Sequence, residues 1–162
     1  MEGRHMKFRV LGLLAALAFL NACTDTNTGA ATGTGGAATT GGVVLGSQED
    51  LVANVGDRVF FALDSSSLSS DARATLDREA AWLAKYPAVA VQLAGNCDER
   101  GTTEYNLALG QRRANAARDY LVARGASSAR LNTISYGKER STALGSDEQA
   151  YSQNRNTITS VR

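Results

Sequence analysis

The sequence predicts an α+β domain over residues 47–162, with the element order β-α-β-α-β-β and helices packed on one face of a mixed sheet. Two observations lead to this prediction. Short β-branched segments alternate with two long segments in which apolar residues recur every three or four positions, and polar or glycine-containing turns separate them. Because single helices join successive strands, we expect right-handed crossovers and a last strand that can pair antiparallel.

Four segments have the composition of strands. The first spans 57–63 and the second spans 88–94, and both place apolar residues at alternate positions. The third spans 131–136. The last spans 156–162 and has high β propensity, although its threonine and serine residues dilute the alternation.

Two segments have the pattern of amphipathic helices. The first covers 70–85 and ends before Pro87, because proline cannot continue a helix. The second covers 103–124 and ends at Gly125, a residue type that favours the position after a helix. A further helical turn is predicted near 147–151.

Residues 1–22 are predicted to be absent from the mature protein. The first six resemble a protease site and a cloning remnant, and the apolar run 10–20 that follows two basic residues has the length of a secretory signal peptide. This run is shorter than the roughly 20 residues that a membrane-spanning helix needs. It ends in Leu20-Asn21-Ala22-Cys23, which resembles the lipobox of bacterial lipoproteins. The resemblance implies cleavage before Cys23 and lipidation of that residue.

Residues 23–46 are predicted to be the lipidated cysteine and a flexible tether rich in Gly, Thr and Ala. Such a segment buries too little apolar surface to offset its ordering entropy, and its root-mean-square reach is about 25–30 Å. Thr24 follows the cysteine, whereas an Asp there would resemble an inner-membrane retention signal. We therefore expect an outer-membrane protein, anchored only through its lipid, whose domain faces the periplasm.

The composition excludes several classes of function. The net charge of +1 lacks the basic field of a nucleic-acid-binding protein, so no nucleic acid is expected as a partner. The single histidine, His5, lies in the segment predicted to be removed, which argues against histidine-dependent catalysis and most zinc sites. We expect neither an enzyme nor a cofactor or metal. Cys97 has no histidine to activate it and is interpreted as a bystander thiol.

The most informative segment is 95–115, GNCDERGTTEYNLALGQRRAN. Its loop, which contains Asp98, leads into the N-terminus of the second helix, where free N–H groups favour an anionic ligand. Asn106, Leu109 and Arg113 share one face of that helix. Asp98 and Arg113 can therefore project toward one site, which suits a zwitterion with an ammonium and a carboxylate. A direct salt bridge between these two residues, without any ligand, is the alternative that the residues alone leave open.

Four blocks in the same order resemble the peptidoglycan-associated lipoprotein family of the OmpA-like superfamily. They are DERGT at 98–102, YNLALGQRRAN at 105–115, SYGKE at 135–139 and ALGSDEQAYSQNR at 143–155, and the resemblance covers about 47–155. It implies an OmpA-like domain that non-covalently binds the diaminopimelate-containing stem peptide of peptidoglycan. Such a protein tethers the outer membrane to the cell wall within the Tol–Pal system, which serves envelope integrity and cell division. TolB and other Tol proteins are the implied partners, and the alternative is an adaptor that acts mainly through TolB.

The same resemblance implies the role of individual residues. Asp98 would contact the ammonium group of diaminopimelate, Arg113 would contact its carboxylate, and Asp64 would be a further member of the pocket. The loop side of the pocket would be lined by the backbone of Glu99, Arg100, Gly101 and Thr102, and the helix side by Asn106 and Leu109.

Overall fold

The computed structural model describes residues 39–40 and 42–162. Its elements, in chain order, are β1 Thr39–Thr40, β2 Val43–Val44, α1 Gln48–Asn54, β3 Arg58–Phe60, α2 Ser70–Lys85, β4 Val91–Asn96, α3 Thr103–Ala123, β5 Leu131–Gly137, α4 Glu148–Asn154 and β6 Asn156–Val161. The predicted signal peptide, the predicted lipidation residue Cys23 and most of the predicted tether lie outside the described residues.

The main sheet has the order β3-β6-β4-β5. Strand β6 is antiparallel to both β3 and β4, whereas β4 and β5 are parallel. Helices α2 and α3 pack against each other and against the sheet. The predicted α+β fold with a mixed sheet is confirmed, and each predicted strand and helix is present, although β3 covers only Arg58–Phe60 of the predicted 57–63 and β4 begins and ends later than the predicted 88–94.

Two features that precede β3 are not predicted from the sequence. Helix α1 follows Ser47, whose hydroxyl accepts a hydrogen bond from the backbone N–H of Asp50 (3.3 Å). The buried carboxylate of Asp50 also accepts from the Trp82 indole (2.9 Å), which joins α1 to α2. The two-residue strands β1 and β2 pair antiparallel within the segment that the sequence predicts to be a tether.

The apolar core lies between the sheet and the two long helices. Strand β4 contributes Val91 and Leu93, α2 contributes Leu76 and Leu83, and α3 contributes Leu121, all of which are almost fully buried. Burying each such side chain stabilises the fold by roughly 1.5–3 kcal/mol. The core thereby holds α3 firmly on the sheet over its C-terminal half.

The N-terminal half of α3 approaches the sheet even more closely, through a pair of glycines. A Cβ atom at Gly95 on β4 would overlap the carbonyl oxygen of Gly110 on α3, and a Cβ atom at Gly110 would overlap the hydroxyl of Ser135. Only glycine fits at these two positions, because helix and strand meet there backbone to backbone. This contact fixes the end of β4, from which the loop 97–102 starts, relative to α3.

The last strand carries polar side chains into the middle of the sheet. Asn156 accepts a hydrogen bond from the Asn96 side chain (2.8 Å), and the Thr159 hydroxyl donates one to Glu79 on α2 (2.8 Å). The Glu79 residue is only 1% exposed, and burial raises the pKa of its carboxyl to about 8 although the Thr159 hydrogen bond opposes the rise. Glu79 is therefore largely protonated at neutral pH.

Candidate functional site

A cavity of about 170 Å³ lies where the loops after β3 and β4 meet the first turns of α3. It is lined by Leu63, Asp64, Cys97, Asp98, Arg100, Gly101, Tyr105, Asn106, Leu109, Arg113 and Arg155. Three guanidinium groups and two carboxylates are among these residues. The cavity wall therefore offers charges of both signs within a small volume.

The loop between β4 and α3 has a fixed shape because the helix holds it. The Thr102 hydroxyl accepts from the backbone N–H of Tyr105 (3.2 Å) and so caps α3. The Asn106 side chain donates to the carbonyls of Arg100 (2.7 Å) and Thr102 (3.1 Å). Gly101 has a φ of +88°, a left-handed conformation that favours glycine. The sequence of this loop thus dictates the geometry of one cavity wall.

Asp98 is a buried carboxylate with two arginine partners. Its oxygens accept from Arg100 Nη2 (2.6 Å) and Nε (3.1 Å), from Arg155 Nη1 (3.3 Å), and from the backbone N–H of Arg100 (3.2 Å). Burial by itself raises the pKa of Asp98, but the hydrogen bonds from Arg100 and Arg155 outweigh burial, so the pKa is lowered from its usual 3.8. Asp98 therefore carries its negative charge throughout the neutral pH range.

Arg113 is fully buried and joins three segments of the chain. Its guanidinium donates to the carbonyls of Ser65 (2.8 Å), Asn96 (2.9 Å) and Ala62 (3.1 Å). These bonds tie the loop after β3 to the end of β4. Asp98 and Arg113 line the same cavity, but among the described residues they form no salt bridge, so the ligand-free pairing left open by the sequence is not present.

Asp64 contributes the second carboxylate of the cavity wall. Its φ of 51° lies in the left-handed region, which aspartate tolerates better than most residues. Its carboxylate accepts a hydrogen bond from the Tyr105 hydroxyl. This bond connects the loop after β3 to the first turn of α3.

Most of the residues predicted from the sequence come together at the cavity. The structure places Asp64, Asp98, Arg100, Gly101, Asn106, Leu109 and Arg113 on its wall. It places Glu99 and Thr102 elsewhere. The Glu99 carboxylate accepts from the Tyr151 hydroxyl (2.9 Å), and Thr102 caps α3. Neither residue is among those that line the cavity, and their predicted backbone contribution to ligand binding stays a prediction.

Sequence reasoning missed four lining residues, Leu63, Cys97, Tyr105 and Arg155. The most consequential is Arg155, which precedes β6 and reaches Asp98 because β6 lies in the middle of the sheet. An arginine at the start of a strand in the block 143–155 was the only available signal. Tyr105 could have been found from its place in the first turn of α3.

Cys97 has the surroundings of a structural thiol. It is 2% exposed, accepts a hydrogen bond from Arg113 Nη1 (3.4 Å) and donates one to the Asn106 carbonyl (3.4 Å). Burial raises the pKa of this thiol although the positive charge of Arg113 opposes the rise. The thiol is therefore neutral at physiological pH, which agrees with its interpretation as a bystander.

Comparison with known proteins defines the class of this fold and site. Residues 60–155 match the OmpA family. The C-terminal domain of Helicobacter pylori MotB superimposes with a TM-score of 0.61 at 20% identity, over 65% of this chain and 84% of that one, and this likeness concerns the fold alone. The domain is therefore of the OmpA type.

Closer relatives narrow the class. The peptidoglycan-associated lipoprotein of Rhizobium meliloti is 59% identical over 114 residues, which are 70% of this chain and 65% of that protein. The one from Mesorhizobium japonicum is 48% identical over 94% of this chain and 90% of that protein. A crystal structure of the Burkholderia pseudomallei peptidoglycan-associated lipoprotein has a TM-score of 0.67 at 37% identity, covering 72% of this chain and all of that one.

The chain therefore belongs to the OmpA family and, within it, to the peptidoglycan-associated lipoproteins. The resemblance predicted from the four sequence blocks is confirmed. These relatives are non-enzymatic proteins of the cell envelope, so the expectation that the chain is not an enzyme is also confirmed. Within the described part of the chain, none of the helices combines the length and apolarity needed to cross a bilayer.

Proposed function

We propose that the protein is an outer-membrane lipoprotein that non-covalently binds the diaminopimelate-containing stem peptide of peptidoglycan and so tethers the membrane to the cell wall. The cavity around Asp98 and Arg113 is the observation that carries this proposal. A diaminopimelate side chain ends in an ammonium and a carboxylate, and the cavity wall provides partners for both. The names of its relatives support peptidoglycan as the partner.

The charges of the cavity support one orientation of this ligand. The ammonium belongs at Asp98, which stays ionised at neutral pH, with Asp64 as the second carboxylate nearby. The ligand carboxylate belongs near Arg113. Four of the five guanidinium N–H groups of Arg113 have partners among the described residues, so its contribution is its charge and one remaining donor. A buried guanidinium of this kind attracts an anion without changing its own position.

Sedimentation with purified sacculi tests this function. We expect the wild-type domain to pellet, and we expect Asp98→Asn and Arg113→Lys to stay largely in the supernatant. Arg112→Lys is the matched control for Arg113, because its exposed side chain is the sequence neighbour on the same helix. Circular dichroism of each variant separates a loss of binding from a loss of folding. A wild-type domain that stays in the supernatant would contradict the proposal.

A pair of soluble stem tripeptides tests the ligand chemistry on the wild-type protein alone. One tripeptide ends in diaminopimelate, and the other ends in lysine, whose side chain has the ammonium but lacks the carboxylate. Hydrogen bonds to charged groups contribute about 1.5–3 kcal/mol, so we expect roughly 10- to 100-fold weaker binding of the lysine peptide. Equal affinities in titration calorimetry would exclude a zwitterion site.

We propose TolB as a second partner of the same region, together with other proteins of the Tol–Pal system that maintains the envelope during cell division. The rim of the cavity supports this proposal, because Leu63 and Tyr105 are 58% and 44% exposed although both are apolar or aromatic. Capture of purified TolB by immobilised domain tests it, with Leu63→Ser as the variant and Val122→Ser, an exposed apolar residue on α3, as the control. Equal capture of all three domains would show that the rim is not the contact.

We also propose that the domain is attached to the outer membrane through lipidated Cys23 and a tether up to residue 46. The support is the lipobox-like motif together with the names of the relatives. Mass spectrometry of the membrane-extracted N-terminus tests this attachment. A mature protein that does not begin with acylated Cys23 would contradict it.

A further inference from the structure

Asp98 accepts hydrogen bonds from two guanidinium groups whose surroundings differ. The Arg155 side chain is only 8% exposed, and besides Asp98 it donates to the Phe61 carbonyl (3.2 Å) and to Glu148 (2.7 Å). It is therefore held by three partners from three parts of the chain. Its position next to Asp98 is a fixed part of the fold.

Arg100 makes the stronger contact with Asp98 but is held less firmly elsewhere. Two of its nitrogens bond the carboxylate in a bidentate arrangement, at 2.6 and 3.1 Å. Its side chain is 40% exposed, and its other neighbours are the Tyr151 ring, 4.3 Å from its guanidinium carbon, and the exposed carboxylate of Glu148 at 3.8 Å. The Arg100 side chain lines the cavity and projects from a surface loop, so the side chain can move while the loop backbone and the core stay in place.

We propose that Arg100 is an exchangeable internal counterion of Asp98, which occupies the place of the ligand's ammonium group and leaves it when the ligand binds. This inference rests on the proposed function of the cavity and explains how the site selects its ligand. Arg155 stays bound to Asp98 in both states. Arg100 is thus a specificity-determining residue that competes with the ligand.

The exchange leaves no buried charge without a partner. After Arg100 moves out, Asp98 keeps Arg155 and the backbone N–H of Arg100, and it gains the ligand ammonium. Arg100 itself keeps the Tyr151 ring and Glu148 on the outer side of the loop. Since an unpaired buried charge is the main cost of breaking an ion pair, this path avoids the largest penalty.

The competition favours zwitterions over simple amines. Replacing one cation on Asp98 by another yields little net free energy, so an amine without a carboxylate gains almost nothing from entering. A ligand that also has a carboxylate adds contacts with the guanidinium charges of the cavity, which tip the exchange in its favour. The selectivity for diaminopimelate over lysine then depends partly on Arg100.

The variant Arg100→Ala tests the exchange in titrations with the soluble diaminopimelate tripeptide. We expect binding about two- to fivefold tighter than in the wild type, because a partly exposed ion pair no longer competes. The lysine tripeptide should gain more than the diaminopimelate tripeptide, because it has no carboxylate that loses the attraction of the Arg100 charge, so the discrimination between the two peptides falls. Arg124→Ala, whose side chain pairs with Asp77 outside the cavity, is the control and should bind like the wild type.

A second experiment follows the two arginines directly in the wild-type domain. In nitrogen-15 spectra of the wild-type domain, the Nε–H signal of Arg100 should shift on addition of the diaminopimelate tripeptide. The Nε–H signal of Arg155, which donates to the Phe61 carbonyl, should remain in place. An Arg100 signal unaffected by saturating tripeptide would overturn the exchange.

The outcomes separate this inference from the function on which it rests. A wild-type domain that binds neither sacculi nor tripeptide would overturn both. A wild-type domain that binds, together with an Arg100→Ala variant that binds equally or more weakly, would overturn the exchange alone and make Arg100 a neutral or direct ligand contact.

Discussion

Two of the buried carboxyl groups of the domain, Asp98 and Glu79, differ in their ionisation at neutral pH. Asp98 lies beside the cavity with two guanidinium partners, and these lower its pKa despite burial. Glu79 lies under the middle of the sheet, where Thr159 is the only hydrogen-bond partner of its carboxyl among the described residues, and burial raises its pKa to about 8. At neutral pH, Asp98 is therefore charged and Glu79 is largely neutral.

This difference in pKa shows that the fold stabilises the charged form of Asp98 but not that of Glu79. Removing a carboxylate from water costs several kcal/mol, and a protein either protonates the group or stabilises its charge with hydrogen bonds and cations. Around Glu79 the fold supplies a single hydroxyl and allows protonation. Around Asp98 it brings together Arg100 and Arg155, from segments 55 residues apart in sequence (155 − 100). A buried carboxylate that two arginines keep ionised is typical of a binding site.

The largest predicted effect is the loss of the Asp98 charge. In Asp98→Asn, the guanidinium of Arg155 loses its buried anion and keeps only the exposed carboxylate of Glu148, so we expect the free energy of unfolding to fall by about 3–5 kcal/mol. Urea denaturation at pH 7 measures this change. Asp119→Asn is the control, since its exposed pair with Arg118 should contribute at most about 1 kcal/mol. Equal destabilisation by both variants would mean that the Asp98 cluster is no stronger than a surface pair.

For Glu79, we expect that removing the carboxyl group stabilises the domain instead of destabilising it. Its pKa is 4.5 in the unfolded chain and about 8 in the folded one, so the folded state holds a proton that the unfolded state releases between these values. Stability contributed by this proton is complete below pH 4.5 and declines by up to about 1.4 kcal/mol per pH unit until pH 8. Glu79→Gln should remove this decline and make the domain about 1–3 kcal/mol more stable than the wild type at pH 8.

Urea denaturation at pH 5, 6.5 and 8 measures the Glu79 effect. The exposed Glu139→Gln serves as control and should keep the wild-type slope. Asp98 acts in the other direction: its lowered pKa makes its contribution present above pH 3.8 and lost as the pH falls through the folded pKa. A Glu79→Gln variant whose stability has the same pH profile as the wild type would contradict the claim that Glu79, unlike Asp98, is protonated in the folded domain.

The smallest predicted effect is at Thr159. Its hydroxyl donates to Glu79, and Thr159→Val keeps the shape but removes this bond, so we expect a loss of about 1 kcal/mol. The pKa of Glu79 should rise further, because the hydrogen bond from Thr159 lowers it. Thr157→Val, on the same strand, is the control, since its hydroxyl has no hydrogen-bond partner in the described structure. Indistinguishable unfolding curves for the two variants would show that the hydroxyl of Thr159 adds nothing to the burial of Glu79.

Local pattern was sufficient for most of the fold. The two long helices have one buried stripe each, and their caps and the following Pro87 and Gly125 mark their ends, so both were predicted closely. Helix α1 was missed because its buried face consists of Asp50 and Leu51 alone, which gives no periodicity to detect. Its stability comes from the bond between Asp50 and Trp82, a contact across 32 positions.

Residue spacing alone predicted the cavity only as far as one segment could define it, and Asp64, on another loop, was predicted from the family resemblance instead. Asp98, Gly101, Asn106, Leu109 and Arg113 lie on a single loop and helix, where helical spacing determines which side chains face the same way. Arg155 could not be predicted because its position depends on the strand order, which no local pattern encodes. The buried polar residues of β6, which weakened its alternation, are also explained by its place in the middle of the sheet.

Strand β6 is the last strand in the sequence, yet in the sheet it lies between β3 and β4. The sheet therefore cannot close while residues 156–161 have yet to emerge, and within the described residues β3 has no other strand beside it. Arg155 arrives at Asp98 at the same step, just ahead of β6. Such pairings between distant segments form slowly. A chain that still lacks its C-terminal residues therefore has no complete cavity, and the domain becomes able to bind a ligand only when its folding is complete.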